Sequence, residues 1–295
     1  MLGIPVRYLL KHPRAVTELT ADPLDTWTQV RESYLGGQES RIPVFPYEVD
    51  PDWERQLHAL IGAEWPCTFA SDFAELWAAV MAELESQGIR PGPESFLHWN
   101  DGDTGFIRAI SCLIRHLNLR YVVETGVAHG VTSRFILEAL SRGGGGHLWS
   151  IDVPPVQSVW QKQVGMAVGP SLRKQWTYIK GTSRLRLPEL LGKLGQVDLF
   201  VHDSLHTERN VRFEMDQAWR VLRPGSAVVV DDIDANWGFH SFTHALSDQH
   251  SFVCEAEPVR PDFRRVNSKG MFGIALKTGG SVPRAVGATP LRAVR

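Results

Sequence analysis

Three cysteines in 295 residues, Cys67, Cys112 and Cys254, are too few and too scattered for a disulfide framework or a zinc site. No apolar run approaches the roughly 20 residues that a membrane-spanning helix needs. Neither sign of charge dominates. The formal net charge of −2 argues against a general binder of nucleic acid or of membrane surfaces. The short apolar stretch from Met1 to Leu10 contains Pro5 and Arg7 and lacks a signal-peptide core. Together these absences make a reducing, cytoplasmic location the expectation. The chain also lacks an internal repeat and the G-x-G-x-x-G of dinucleotide binders. Aromatics are not scarce. There are ten tryptophans, and Trp27, Trp53, Trp65, Trp77 and Trp99 crowd the first third, mostly as core, with a few free to line an acceptor pocket.

Residues 1–100 read as a helical N-terminal extension, broken by prolines at 13, 23, 43, 46, 51, 66, 91 and 93. Its clearest helix is Asp72 to Gln87, where Phe73, Leu76, Trp77, Val80, Met81 and Leu84 recur at helical spacing. From about Asp101 the pattern becomes strand–helix alternation, which places an α/β domain over 101–278 and a flexible, Gly/Pro/Ala-rich tail over 279–295. The expected strands are Tyr121–Glu124, His147–Asp152, Trp176–Lys180, Val197–His202 and Ser226–Val230, then Ser251–Ala256 and Met271–Leu276. The first five alternate with helices and should run parallel with right-handed crossovers. The last two have no helix between them, so one should be antiparallel. The fold class is α/β: a Rossmann-like, seven-stranded, mostly parallel sheet with helices on both faces.

The chemistry gathers where the parallel strands end. The first strand runs into Glu124–Thr125–Gly126–Val127–Ala128, then Gly130, then a helix from Val131 to Leu140. Doubly wound sheets bind nucleotide-like ligands at this end. The glycines let backbone approach a ligand closely, and the helix N-terminus suits an anion. A tight turn packing helix on strand is the plainer alternative. Asp152 tips the second strand about twenty residues after Gly130, where a carboxylate meets ribose hydroxyls; a helix N-cap or turn aspartate is the plainer alternative. Asp203 ends the fourth strand, and Asp231–Asp232 end the fifth. Three acids converging from adjacent strands repel unless a divalent cation such as Mg²⁺ lies between them. Otherwise Asp203 caps the next helix and the pair faces solvent. His206, three residues after Asp203, is either a general base or a hydrogen-bonding residue at the helix start. His129, in the glycine turn, is expected to face ligand or solvent. His98, His240 and His244 are weaker candidates.

The runs VVETGVAHGVTS, WSID and HDSLHTERNVRFEMDQAWRVLRPGSAVVVDDI resemble class I S-adenosylmethionine-dependent methyltransferases. Within them the pattern is most similar to metal-dependent small-molecule O-methyltransferases of the catechol, macrolide-sugar and cephalosporin-hydroxylase/rhamnosyl kinds, over roughly residues 101–277. The resemblance implies S-adenosylmethionine and Mg²⁺ or another divalent cation as cofactors. It implies that Glu124, Gly126, Ala128 and Gly130 form the first cofactor motif and that Thr132 meets the methionine carboxylate. Asp152 would hold the ribose, Thr182 and Ser183 would border adenine, and Asp203 would reach both cofactor and metal. Asp203, Asp231 and Asp232 would form the metal triad. No lysine follows Asp203 as in catechol-type enzymes, so Asp203 and His206 stand as the catalytic pair. Ala128 replaces the motif's middle glycine. The expected partner is a small-molecule acceptor such as a sugar, phenol or natural product, with no nucleic acid and no membrane; homo-oligomerisation stays open. Three rivals remain. A metal-independent N- or O-methyltransferase using His206 would survive chelation. An NAD-dependent oxidoreductase is disfavoured by the missing glycine motif. A non-catalytic module would bind cofactor without turnover.

Overall fold

The computed structural model describes residues 22–39, 44–88, 103–153, 161–246, 249–257 and 270–278. His98, Trp99, Trp160 and the expected tail at 279–295 lie outside those residues.

Three helices come first: α1 (Pro23–Glu39), α2 (Trp53–Ile61) and α3 (Thr68–Ser86). Proline opens α1 at the position where its missing N–H costs nothing. Next come α4 (Thr104–His116), β1 (Tyr121–Thr125), α5 (Val131–Arg142) and β2 (His147–Asp152). The Asp103 side chain caps α4 by accepting from the Phe106 N–H at 3.0 Å. The chain continues through β3 (Trp176–Lys180), α6 (Ser183–Leu194), β4 (Val197–His202), α7 (Glu208–Val221) and β5 (Leu222–Val230). It closes with α8 (Gly238–His244), β6 (Gln249–Glu255) and β7 (Met271–Lys277).

The seven strands form one sheet in the order β3-β2-β1-β4-β5-β7-β6. Neighbours from β3 to β5 are parallel, and β7 runs antiparallel to both β5 and β6. The expected Rossmann-like architecture is therefore present, with the antiparallel exception at β7. β5 starts four residues before the expected Ser226 and takes in Pro224 and Gly225, where the pairing of β4 with β5 shifts register between Val197 and Leu199. β6 starts two residues before the expected Ser251, at Gln249.

The sheet is covered on both faces. On one side α4 and α5 bury Phe106, Ile110, Leu113, Phe135 and Ile136 against Val122, Leu148 and Leu199. The same core takes in Trp53 and Leu57 of α2 and Phe69, Phe73, Trp77 and Leu84 of α3. Phe73 and Trp77 each lie 5.2 Å from the Phe135 ring. Helices α2 and α3 thus complete a face of the sheet. On the other side α6, α7 and α8 bury Leu187, Met215, Phe239 and Phe242 against Val123, Phe200 and Val228. With both faces covered, the strands can be nearly all apolar, and β4 is buried along its whole length.

Candidate active site

The carboxyl ends of β1, β2, β4 and β5 meet around the turn that follows β1. Gly126 has φ +87°, and a Cβ there would lie 1.8 Å from the Asp203 carbonyl oxygen. Its N–H donates to the Ile151 carbonyl at 2.9 Å, and the Asp203 N–H donates to Thr125 at 2.8 Å. At Gly130, φ +81°, a Cβ would come within 2.8 Å of Gly165 Cα. Both glycines were read as room for a ligand. In the fold, what approaches them is the chain itself: the start of the β4 loop at Gly126, and the segment before β3 at Gly130. That segment is fastened over the turn by Gly165 N–H to Ala128 O and Ala167 N–H to His129 O, both 2.9 Å.

His129 is corrected by the same contact. It is 1% exposed, its Nε2 lies 3.1 Å from Gln163 Oε1, and burial holds its pKa below the ordinary histidine value. Thr132, at the second position of α5, is half-buried at the helix N-terminus.

Glu124 is fully buried. Its Oε2 accepts from Ser133 and Ser150, each at 2.6 Å, while Oε1 has no hydrogen-bond partner among the described residues. Burial outweighs the two hydroxyls and pushes its pKa up to about 7. Asp152 accepts from the backbone N–H groups of Ala128, Val153 and Val127, but burial still raises it to about 6. It therefore holds the glycine turn, the plainer role weighed for it. A carboxylate has about four lone-pair positions, so these contacts leave acceptor capacity for a ligand.

Thr182 and Ser183, read as bordering adenine, have protein partners. The Thr182 N–H and hydroxyl both donate to Asp25 Oδ1 of α1, at 2.7 and 2.8 Å. Ser183 joins a buried network around Glu214 of α7. Glu214 Oε2 accepts from Thr125 Oγ1 at 2.5 Å and pairs with His202 Nδ1 at 2.6 Å; Oε1 accepts from Ser204 and Asn210. Burial alone would raise this carboxyl, but the charge and hydrogen bond of His202, helped by Ser183 and Thr125, hold it low. Glu214 is completely buried. Polar partners from β1, β4, the loop after it, α6 and α7 satisfy it and tie those elements together beneath the site. A lone Glu in an amphipathic pattern carries no signal of this.

The acidic cluster departs from the expected triad. The ligand atoms of Asp203, His206 and Asp231 all lie within 4.8 Å of one another. Asp232 enters through His206, its Oδ2 3.6 Å from Nδ1, while His206 Nε2 is 3.9 Å from Asp203 Oδ1. Asp232 is left-handed at φ +49° and opens a short 3₁₀ turn, Ile233–Ala235. His240 belongs to an aromatic group instead. Its ring stacks on Phe45 at 3.8 Å, its N–H donates to Tyr47 Oη at 2.8 Å, and its neighbour Trp237 lies 4.9 Å from Phe45.

Residues 123–233 match a family model described as a methyltransferase domain. They run from β1 to the turn after β5, through every strand end just described. None of the curated proteins matches the chain in sequence. Among solved structures, the chain is similar to the O-methyltransferase TomG of Streptomyces achromogenes, crystallised with S-adenosylmethionine. Identity is 18%, covering 68% of this chain and 89% of the other, with a TM-score of 0.49. An O-methyltransferase from Bacillus cereus in complex with S-adenosylhomocysteine gives 14% identity over 77% of this chain and 97% of the other, with a TM-score of 0.47.

Proposed function

We propose that this chain, whose residues 123–233 match a methyltransferase domain, is a class I S-adenosylmethionine-dependent methyltransferase that transfers the methyl group to an oxygen of a small acceptor with the help of a divalent cation. One observation carries the reading. Asp203, His206 and Asp231 converge beside the glycine turn of β1, at the end of the sheet where such folds bind ligands. The donor set suits a divalent cation, because two carboxylates brought together repel without a positive charge. Asp203 and Asp231 would hold it. When bound, S-adenosylmethionine supplies an activated sulfonium methyl, and the cation eases loss of the acceptor's proton.

The residues of the chain then have separable tasks. Asp152 and the N-terminus of α5 hold the two polar ends of the methyl donor. Asp232 faces His206 Nδ1 and favours a proton there, leaving Nε2 to receive the proton of the acceptor hydroxyl. The Glu214 network keeps β4 and α7 in register, so that Asp203 and His206 stay aligned. The acceptor is a sugar, phenol or natural product, and the cell compartment is the cytoplasm.

Calorimetric titration with S-adenosylhomocysteine, with and without Mg²⁺, tests the class. Turnover on a panel of phenols and sugars tests the reaction. Asp231→Asn should slow transfer by roughly 10²-fold, the scale of losing one positioned group, while leaving S-adenosylhomocysteine affinity unchanged. Absence of S-adenosylhomocysteine binding would overturn the reading. Full turnover by an Mg²⁺-depleted enzyme would remove the cation and leave His206 as the sole base.

A further inference from the structure

Far from the strand ends, the fold assembles a second set of donor atoms. His58 lies on α2, Cys67 sits at the start of α3, and Cys112 and His116 stand one turn apart on α4. One donor atom from each lies within 4.8 Å of every other. The two sulfurs are 3.6 Å apart. A disulfide needs about 2.05 Å. Two thiolates on one tetrahedral zinc, each at about 2.3 Å, stand about 3.8 Å apart.

His58 supplies an independent sign. Its Nδ1 lies 2.7 Å from the Glu54 carbonyl oxygen, which can only accept, so the proton sits on Nδ1. Nε2 is then a bare lone pair. The residue is 1% exposed, and Nε2 has no hydrogen-bond partner among the described residues. Leaving such an acceptor buried and unpaired costs about 1–3 kcal/mol. A metal-bound histidine is held in this way, with its far nitrogen fixed by a backbone carbonyl.

We infer that His58, Cys67, Cys112 and His116 form a structural Zn²⁺ site. Two thiolates and two neutral imidazoles make a closed, charge-neutral tetrahedral shell. Binding releases two thiol protons to solvent and involves no redox step. The ion clamps the short link between α2 and α3 to the last turn of α4. The sequence reading excluded zinc because the cysteines are scattered. Their ligand partners are histidines from other helices, and only the Cys112–His116 spacing, i to i+4, hints at the site.

Elemental analysis of the purified full chain should find one zinc per chain. Cobalt substitution should give thiolate-to-cobalt charge-transfer absorption, lost in Cys112→Ser. His116→Ala should bring zinc to background; His116 is exposed, so that variant keeps its apolar core. Asp231→Asn should retain its zinc, which separates this site from the acidic cluster. Three results would overturn the inference: a reduced wild-type chain binding neither zinc nor cobalt, a Cys67–Cys112 disulfide in the native chain, or full zinc content in both variants.

Discussion

Ala128 has φ +47°, a left-handed conformation that costs an L-residue with a Cβ roughly 1–2 kcal/mol. The resemblance places a glycine at this position in related methyltransferases, and the angle gives the reason. Glycine would relieve the strain but enlarge the unfolded ensemble, so Ala128→Gly should stabilise the chain by only about 0.5–1 kcal/mol, read as a higher urea midpoint at constant slope. No rise would mean that the turn relaxes around the alanine. Asp152 offers a pH test of its ribose role. Ribose hydroxyls donate, so they prefer the ionised carboxylate, and burial raises this group from 3.8 to about 6. Affinity for S-adenosylhomocysteine should therefore hold above pH 6 and weaken as pH falls through 6. Asp152→Asn should bind more weakly at pH 8 and lose that dependence. An unchanged pH profile in the variant would leave Asp152 only its contacts to the Ala128 turn.

Among the elements, α1 is unusual. Among its buried residues Asp25, Thr26, Thr28, Val30 and Glu32, Val30 alone is apolar. It is held by polar contacts: Asp25 to Thr182, Arg186 to Asp22, and Arg184 to Glu32 at 3.3 Å. A helix docked this way gains little from the hydrophobic effect and opens at low cost. Asp25→Ala removes two hydrogen bonds to a charged acceptor, each worth about 1.5–3 kcal/mol. Hydrogen exchange over residues 23–39 should then accelerate strongly, while β1 and β4 keep their protection. Equal acceleration throughout the sheet would show that α1 is an integral part of the core. The elements themselves were readable in the sequence. Alternating β-branched runs and amphipathic stretches carry their own period, so β1 to β4 appear nearly where expected, while β5 starts four residues early. The burial of Asp25 and Glu32 was not readable, because their partners Thr182 and Arg184 lie 150 or more residues away at the start of α6.

For the molecule as a whole, helices α2 and α3 share one core with the sheet. Phe73 and Trp77 lie against Phe135, and Arg108 bridges Glu54 of α2 and Glu257 beyond β6. A chain beginning at residue 103 should expose Phe106, Ile110 and Phe135, bind a hydrophobic dye and self-associate. A monomeric truncated chain with the full-length melting midpoint would refute this. Among the described residues, no helix is long and apolar enough to cross a membrane.

The sequence by itself determined the class of fold and the identity of the working edge. Strand period, helix spacing and acids at successive strand ends are local patterns, and a parallel sheet places all its strand ends together. Only the tertiary structure decided which side chains meet there. Gly126 answers to the backbone at Asp203, His206 stands between Asp203 and Asp232, Glu214 is buried in a polar network, and Cys67 meets Cys112. Each of these contacts joins residues from different elements. Local periodicity fixes which face of an element is buried, but the distance between two elements depends on the packing of the whole core.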